Sequence, residues 1–208
     1  LIAFLDTEFT DLVNRPRLLS VGLVTDGESN REFYAEVTDR DRIHGASWFV
    51  MSAVLPQFGK AANAACPYAA IGSRLAAFFG GLIATLKTGE LIELAFCYHL
   101  DWELIERAVL ESGVKDWEST RSWIRPVNVY DTTGFGAGKL AAEAYYKSQN
   151  LAPFSRHHAL CDARALRLAY EAAASARIGG SVATCSETSQ AISDRWDLPV
   201  PALKEANG

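Results

Sequence analysis

The feature that most constrains the fold is the opening run Leu1 to Leu5, which passes straight into Asp6-Thr7-Glu8-Phe9. A short continuous apolar run suits a strand covered on both faces. In a strand, side chains two apart share a face, so Asp6 and Glu8 point the same way. Like charges at that spacing repel, and a buried carboxylate needs either a proton or a cationic partner. Two readings are open here. Either the strand end presents both acids to a positive charge, or the strand stops at Leu5 and the acids sit in a solvated loop.

The rest of the chain sets the architecture around that strand. Residues 18–26 and 32–37 read as strands joined by short polar turns, which makes an antiparallel meander. Residues 38–66 lack a clear period and read as a long connection with short helical pieces. Beyond them strands and helices alternate: a helix over 68–86 with Gly80-Gly81 weakening its middle, a buried strand over 91–98, a helix over 101–113. A strand over 124–132, a helix over 137–150 and a long Ala-rich helix from about His157 to Arg177 complete the series. The expectation is one α/β domain over 1–180, a mixed sheet flanked by helices, and a polar tail over 181–208 with room for a short helix.

Charge and composition narrow the function classes. A net charge of −5 argues against coating long nucleic acid through phosphate contacts. It leaves a protein that grips a few nucleotides, or one whose site is acidic because it holds metal. The four cysteines are scattered without a C-x-x-C pair, which removes a zinc site and a disulfide framework. No leader is visible and no stretch approaches the ~20 apolar residues of a membrane span. A cytoplasmic location with reduced thiols and no membrane partner is expected.

Further acids stand at matching places. Asp101 follows a buried strand and opens a helix whose apolar Leu104, Ile105 and Ala108 lie at i+3, i+4 and i+7, which puts it on the inward stripe. A plain N-cap explains the same residue equally well. Asp162 lies three from Ala159 and four from Leu166, again inward; a buried ion pair is the alternative. His157 and His158 stand just before it, and either imidazole could take a proton at neutral pH. Helical spacing favours His158, one turn before Asp162.

DTEF near the start, CYHLDWELI in the middle and HHALCDARAL near the end resemble the three ordered motifs of the DEDD (DnaQ-like) 3′–5′ exonuclease superfamily. The H-x-A-L-x-D-A pattern is similar to its histidine-containing branch, and the whole resembles the stand-alone bacterial exoribonuclease group. The resemblance implies a ribonuclease H-like fold and two Mg²⁺ or Mn²⁺ ions. It implies that Asp6, Glu8, Asp101 and Asp162 bind metal, Asp6 touching both ions, and that His157, not His158, is the general base. The implied activity is metal-dependent hydrolysis at the 3′ end of single-stranded RNA or DNA, RNA before DNA, releasing nucleoside 5′-monophosphates. A homodimer is also implied. Phe9 departs from the small residue common after the motif glutamate, and it, Thr10 and Trp102 are candidate substrate contacts.

Two other classes stay open: a binding module for nucleic-acid ends that keeps the fold without turnover, and a phosphodiesterase limited to very short oligonucleotides. The stretch TTGFGAGKL (132–140) invites a phosphate-loop reading. Thr133 stands where the first Gly should be and Leu140 where a Ser or Thr should hold Mg²⁺, so a flexible strand-to-helix loop is expected instead. Cys97 is expected in the core.

Overall fold

The strand Ile2–Phe9 (β1) sits in the centre of the sheet because it finds partners on both sides. It pairs antiparallel with Leu18–Thr25 (β2), Asp6 standing opposite Gly22, and parallel with Ile92–Phe96 (β5). The computed structural model describes residues 1–12, 15–27, 30–149 and 155–179. Glu32–Val37 (β3) continues the meander, Ala65–Cys66 (β4) extends it in parallel, and Ile124–Asn128 (β6) closes the other edge beside β5. The strand order is β4-β3-β2-β1-β5-β6, the expected ribonuclease H-like mixed sheet of meander plus parallel strands.

Period-2 alternation along β1 feeds two cores. Ala3 and Leu5 join the larger one with Leu75 and Phe79 of Tyr68–Ile83 (α2) and Leu104 and Ile105 of His99–Glu111 (α3). Phe4 faces the opposite layer with Ala95, Val129 and Leu166, its ring 5.5 Å from Tyr170. Leu166 and Tyr170 belong to Ala159–Gly179, the last long helix. Each fully buried Leu or Phe contributes roughly 1.5–3 kcal/mol, so this three-layer packing fixes where the strand ends lie. Asp6 and Glu8 follow Phe4 on the same face and therefore turn toward the last helix.

The connections differ in detail from the sequence reading. The span 38–66 does carry short helical pieces: Arg40–Ile43 (α1), a π-helical turn at Val50–Val54 and a 3₁₀ turn at Leu55–Gln57. It also contains β4, too short to show alternation. Gly80-Gly81 fall in the last turn of α2, not its middle. A small helix, Trp117–Arg121 (α4), precedes β6, and β6 itself stops at Asn128 because Tyr130–Thr133 (α5) winds into a helical turn. Gly136–Ser148 (α6) then starts inside the glycine-rich stretch, so that stretch is a helix-to-helix link. The last helix (α7) starts at Ala159, which leaves both histidines before it. The tail over 181–208, with the short helix expected there, lies outside the described residues. Among the described residues no helix is long and apolar enough to cross a membrane.

Candidate metal centre

The site forms where β1, α3 and α7 converge. Asp6 and Glu8 sit on one face of β1 near its end, Glu8 opposite Ser20 just before the β1–β2 pairing shifts register at Phe9. Such irregularities re-aim the strand beside them. Asp162 enters from the first turn of α7, where a helix N-terminus favours negative charge. One ligand atom from each of Glu8, His157 and Asp162 lies within 4.8 Å of the other two.

His157, not His158, faces this cluster. It adopts a left-handed backbone, φ 69°, and its N–H donates to Asp162 Oδ2 at 2.9 Å. That conformation turns the imidazole back over the strand, which helical spacing alone could not foresee. His158 is 1% exposed and stacks on Tyr34 at 4.3 Å, a packing residue whose burial pushes its pKa down to about 4. His157 is also held below its ordinary value, by burial and by the Arg156 guanidinium. It is therefore neutral at pH 7 and able to accept a proton.

Asp101 reaches the cluster from the other helical layer. It lies in the first turn of α3, two residues inside a helix that begins at His99; the N-cap itself is Tyr98, and Asp101 closes a capping box with it from the N3 position. Its Oδ2 accepts from the Tyr98 N–H at 3.3 Å, and its Oδ1 accepts from the Thr7 hydroxyl at 2.7 Å. Thr7 points to the opposite face of β1 from Asp6 and Glu8, and this bond ties α3 to the strand end. Glu143 of α6 holds the Arg156 guanidinium at 2.6 Å over the Tyr146 ring, while Tyr146 approaches the Asp162 carboxylate.

The electrostatics are those of a cluster short of positive charge. Burial and then repulsion from Asp162 and Asp101 hold Asp6 and Glu8 well above the usual carboxylate range. Burial raises Asp101 to about 7 against the Thr7 and Tyr98 hydrogen bonds that lower it. Burial likewise raises Asp162 to about 7, against Tyr146, the His157 N–H and Arg156. Asp162 Oδ1 is buried without a well-formed hydrogen bond. Asp6 and Asp162 each keep some accessible surface, so the cluster can be reached from solvent. Among the described residues, the close ligand atoms of Glu8, His157 and Asp162, with Asp6 and Asp101 repelling them from beside, fit a divalent cation.

The candidate substrate contacts divide. Phe9 packs on the core edge with its ring nearly parallel to that of Tyr98, 6.4 Å away at 16°. Tyr98 is 44% exposed, so this pair borders the site. Thr10 is buried, and its hydroxyl accepts from the Arg17 N–H at 3.1 Å to close the β1–β2 turn. Trp102 turns away from the acids toward Trp117 at 6.5 Å and the Arg121 guanidinium at 5.6 Å. Cys97 is partly buried beside Asp6 instead of deep in the core, its Sγ 3.4 Å from Thr133 Oγ1, and burial pushes its thiol up.

Gln57 has no counterpart in the sequence reading, and it holds the His157 loop. Its Nε2 donates to the Ala53 and Arg156 carbonyls at 3.0 and 2.9 Å, and its Oε1 accepts from the Ser155 N–H at 2.9 Å. The Phe49 ring meets the His157 imidazole edge-on at 4.8 Å. The connection over 38–66 is thus the platform beneath the histidine. Gly22 has a parallel role under α7: a Cβ there would stand 2.3 Å from the Ala159 carbonyl carbon. A glycine inside a strand is the one local signal that could have marked this close approach. In comparisons with known proteins, the chain matches no family model and no curated protein.

Proposed function

We propose that this chain is a metal-dependent 3′–5′ exonuclease that hydrolyses the terminal phosphodiester bond of single-stranded nucleic acid, RNA before DNA, and releases nucleoside 5′-monophosphates. The observation that carries the reading is the convergence of Asp6, Glu8, Asp101 and Asp162 from three separate elements, with His157 beside Glu8 and Asp162. The same ordered motifs, DTEF, CYHLDWELI and HHALCDARAL, resemble those of the DEDD superfamily. Clustered buried acids destabilise a fold without a cation, so a module free of catalysis gains nothing by keeping them.

The four carboxylates would hold Mg²⁺ or Mn²⁺, which when bound lower the pKa of water and neutralise charge on the leaving oxygen. The chain's own residues supply the rest. His157, neutral at pH 7, accepts the proton of the attacking water at a ring nitrogen while its backbone stays anchored to Asp162. Thr7 fixes the Asp101 carboxylate against the end of β1 through its hydroxyl. The Phe9–Tyr98 pair offers a flat apolar face on which a terminal base can stack.

The test uses a 5′-labelled single-stranded RNA and the same sequence as DNA, each with protein and Mg²⁺ or Mn²⁺, beside Asp6→Ala. The expected result is a one-nucleotide ladder shortening from the 3′ end, absent in the variant and faster on RNA. Intact polymers with either metal, or a ladder that persists in Asp6→Ala, would refute the proposal.

A further inference from the structure

Among the described residues of this acidic chain, a pocket of about 210 Å³ lies between the β1–β2 turn, α1 and α3. Four guanidinium groups line it, from Arg15, Arg17, Arg42 and Arg107, together with Tyr68 and one carboxylate, Glu111. The lining charge is therefore about +3 in a chain whose net charge is −5.

Two of the arginines, Arg17 and Arg42, are held in place by the fold. Arg17 donates to the backbone carbonyls of Asp41, at 3.0 Å, and His44. The Arg42 guanidinium lies 3.1 Å over the Tyr68 ring and 3.5 Å from Glu111, whose Oε2 also accepts from the Tyr68 hydroxyl at 2.8 Å. Arg107 makes one 3.3 Å bond to the Pro16 carbonyl, and Arg15 is exposed, with no ion pair to any described residue. A guanidinium carries five N–H donors, and these partners use only one or two on each. Several guanidinium groups around one concave, positively charged space are the arrangement that recognises a phosphate through several short N–H···O bonds.

The pocket is built on elements that also carry acids of the cluster, the turn after β1 and helix α3, on the α2/α3 side of the sheet. Arg17 and Thr10 exchange two hydrogen bonds, at 3.1 Å each, and Thr10 lies two residues beyond Glu8, about 7 Å along a strand. Arg107 lies six residues after Asp101 on α3, about 9 Å along the helix. Negative charge at one site and positive charge on the same elements suit a ligand whose reacting phosphate sits on cations while another of its phosphates sits on arginines.

We propose that this arginine pocket is a phosphate-binding site. It takes a backbone phosphate of the bound strand 5′ of the scissile bond, or the phosphate of a released nucleotide. The first of these rests on the exonuclease reading; the site itself does not.

The test pairs wild type with Arg15→Gln/Arg107→Gln, a variant that alters no residue of the acid cluster and only one long backbone bond. Fluorescence anisotropy with a labelled single-stranded 10-mer in Ca²⁺ and in chelator reads strand binding without turnover. Calorimetry with inorganic phosphate and AMP reads free ligands, and KM for a dinucleotide and for the 10-mer reads use during hydrolysis. If strand phosphates occupy the pocket, the variant binds the 10-mer at least 10-fold more weakly and its KM for the 10-mer rises alike. The dinucleotide KM stays unchanged, and the slope of log K against log salt falls by about 1.4 for two lost contacts. If free nucleotides occupy it, wild type binds AMP and phosphate, the variant does not, and 10-mer binding is unaffected. Equal binding of all three ligands by wild type and variant, with equal melting temperatures, overturns the site. Wild type that binds through the pocket but cleaves nothing leaves the site standing and removes the exonuclease reading instead.

Discussion

Replacing Gly22 with Ala tests how the fold sets the cluster, because Gly22 stands opposite Asp6 in the sheet and beneath the first turn of α7. A Cβ there meets the Ala159 carbonyl carbon at 2.3 Å and the Ala159 oxygen and Leu160 nitrogen at 2.4 Å. These are backbone atoms, so no side-chain rotamer relieves the overlap. Ordinary contact begins at 3.4 Å, and the helix start must retreat by about 1.1 Å, the difference from 2.3 Å. Overpacking of this kind costs about 1–3 kcal/mol. Asp162 is three residues from Ala159 and moves with it, and a shift of about 1 Å at a reacting centre costs on the order of 10²-fold in rate. Urea denaturation should show a lower midpoint with unchanged slope, and single-turnover hydrolysis should slow by roughly that factor. Gly22→Ala protein with wild-type midpoint and wild-type rate refutes the claim that this glycine seats α7 against the strand.

Other consequences follow from the same geometry. The metal-free protein should lose stability as pH rises from about 4 through about 7 and beyond. Its four acids stay protonated in the fold at pH values where the unfolded chain has released those protons. His157 and His158, both with lowered pKa values, act with the opposite sign at and below about 6.5, so melts between about pH 7.5 and 8.5 read the acids with least interference. Adding Mg²⁺ should flatten that slope and raise the melting temperature; identical melts with and without Mg²⁺ across this range would show that the cluster does not engage cations. Gln57→Ala leaves the Ser155 N–H and Arg156 carbonyl without their partner and should cost about 1–3 kcal/mol. It should also lower kcat by about 10–100-fold with KM little changed, because His157 loses its support; a fall in stability alone would limit Gln57 to packing. Thr7→Val keeps the shape of the strand but removes the hydroxyl bond to Asp101, which should raise that acid further in the metal-free protein and steepen the loss of stability in its stability–pH profile. An unmoved profile would show that the Thr7 bond does not tune Asp101.

Much of this was legible from local pattern. Period-2 spacing places Asp6 and Glu8 on one face, and helical spacing turns Asp101 and Asp162 inward, so the sequence alone brings four acids toward one sheet edge. The histidine was not legible that way. His157 reaches the site through a left-handed residue outside the helix, where helical spacing does not apply. Thr7, Tyr146 and Gln57 were missed because their partners lie on other elements, 94 residues away for the Thr7–Asp101 bond and 98 and 99 for those of Gln57. A polar residue in an irregular segment gives no sign of the backbone it will meet. Trp102 and Thr10 are the converse: their neighbours in sequence suggested a site, while packing against Trp117 and closure of the β1–β2 turn claim their side chains.

Four carboxylates from β1, α3 and α7 are proposed to form a divalent-cation centre. Titrating Mn²⁺ into the chelator-treated protein, followed by electron paramagnetic resonance of the free ion, tests it without any substrate. The account predicts saturable binding of two ions, competed by Mg²⁺ and largely lost in both Asp6→Asn and Asp162→Asn. Free Mn²⁺ that tracks total Mn²⁺ up to millimolar concentrations, or binding that survives both substitutions, would contradict it.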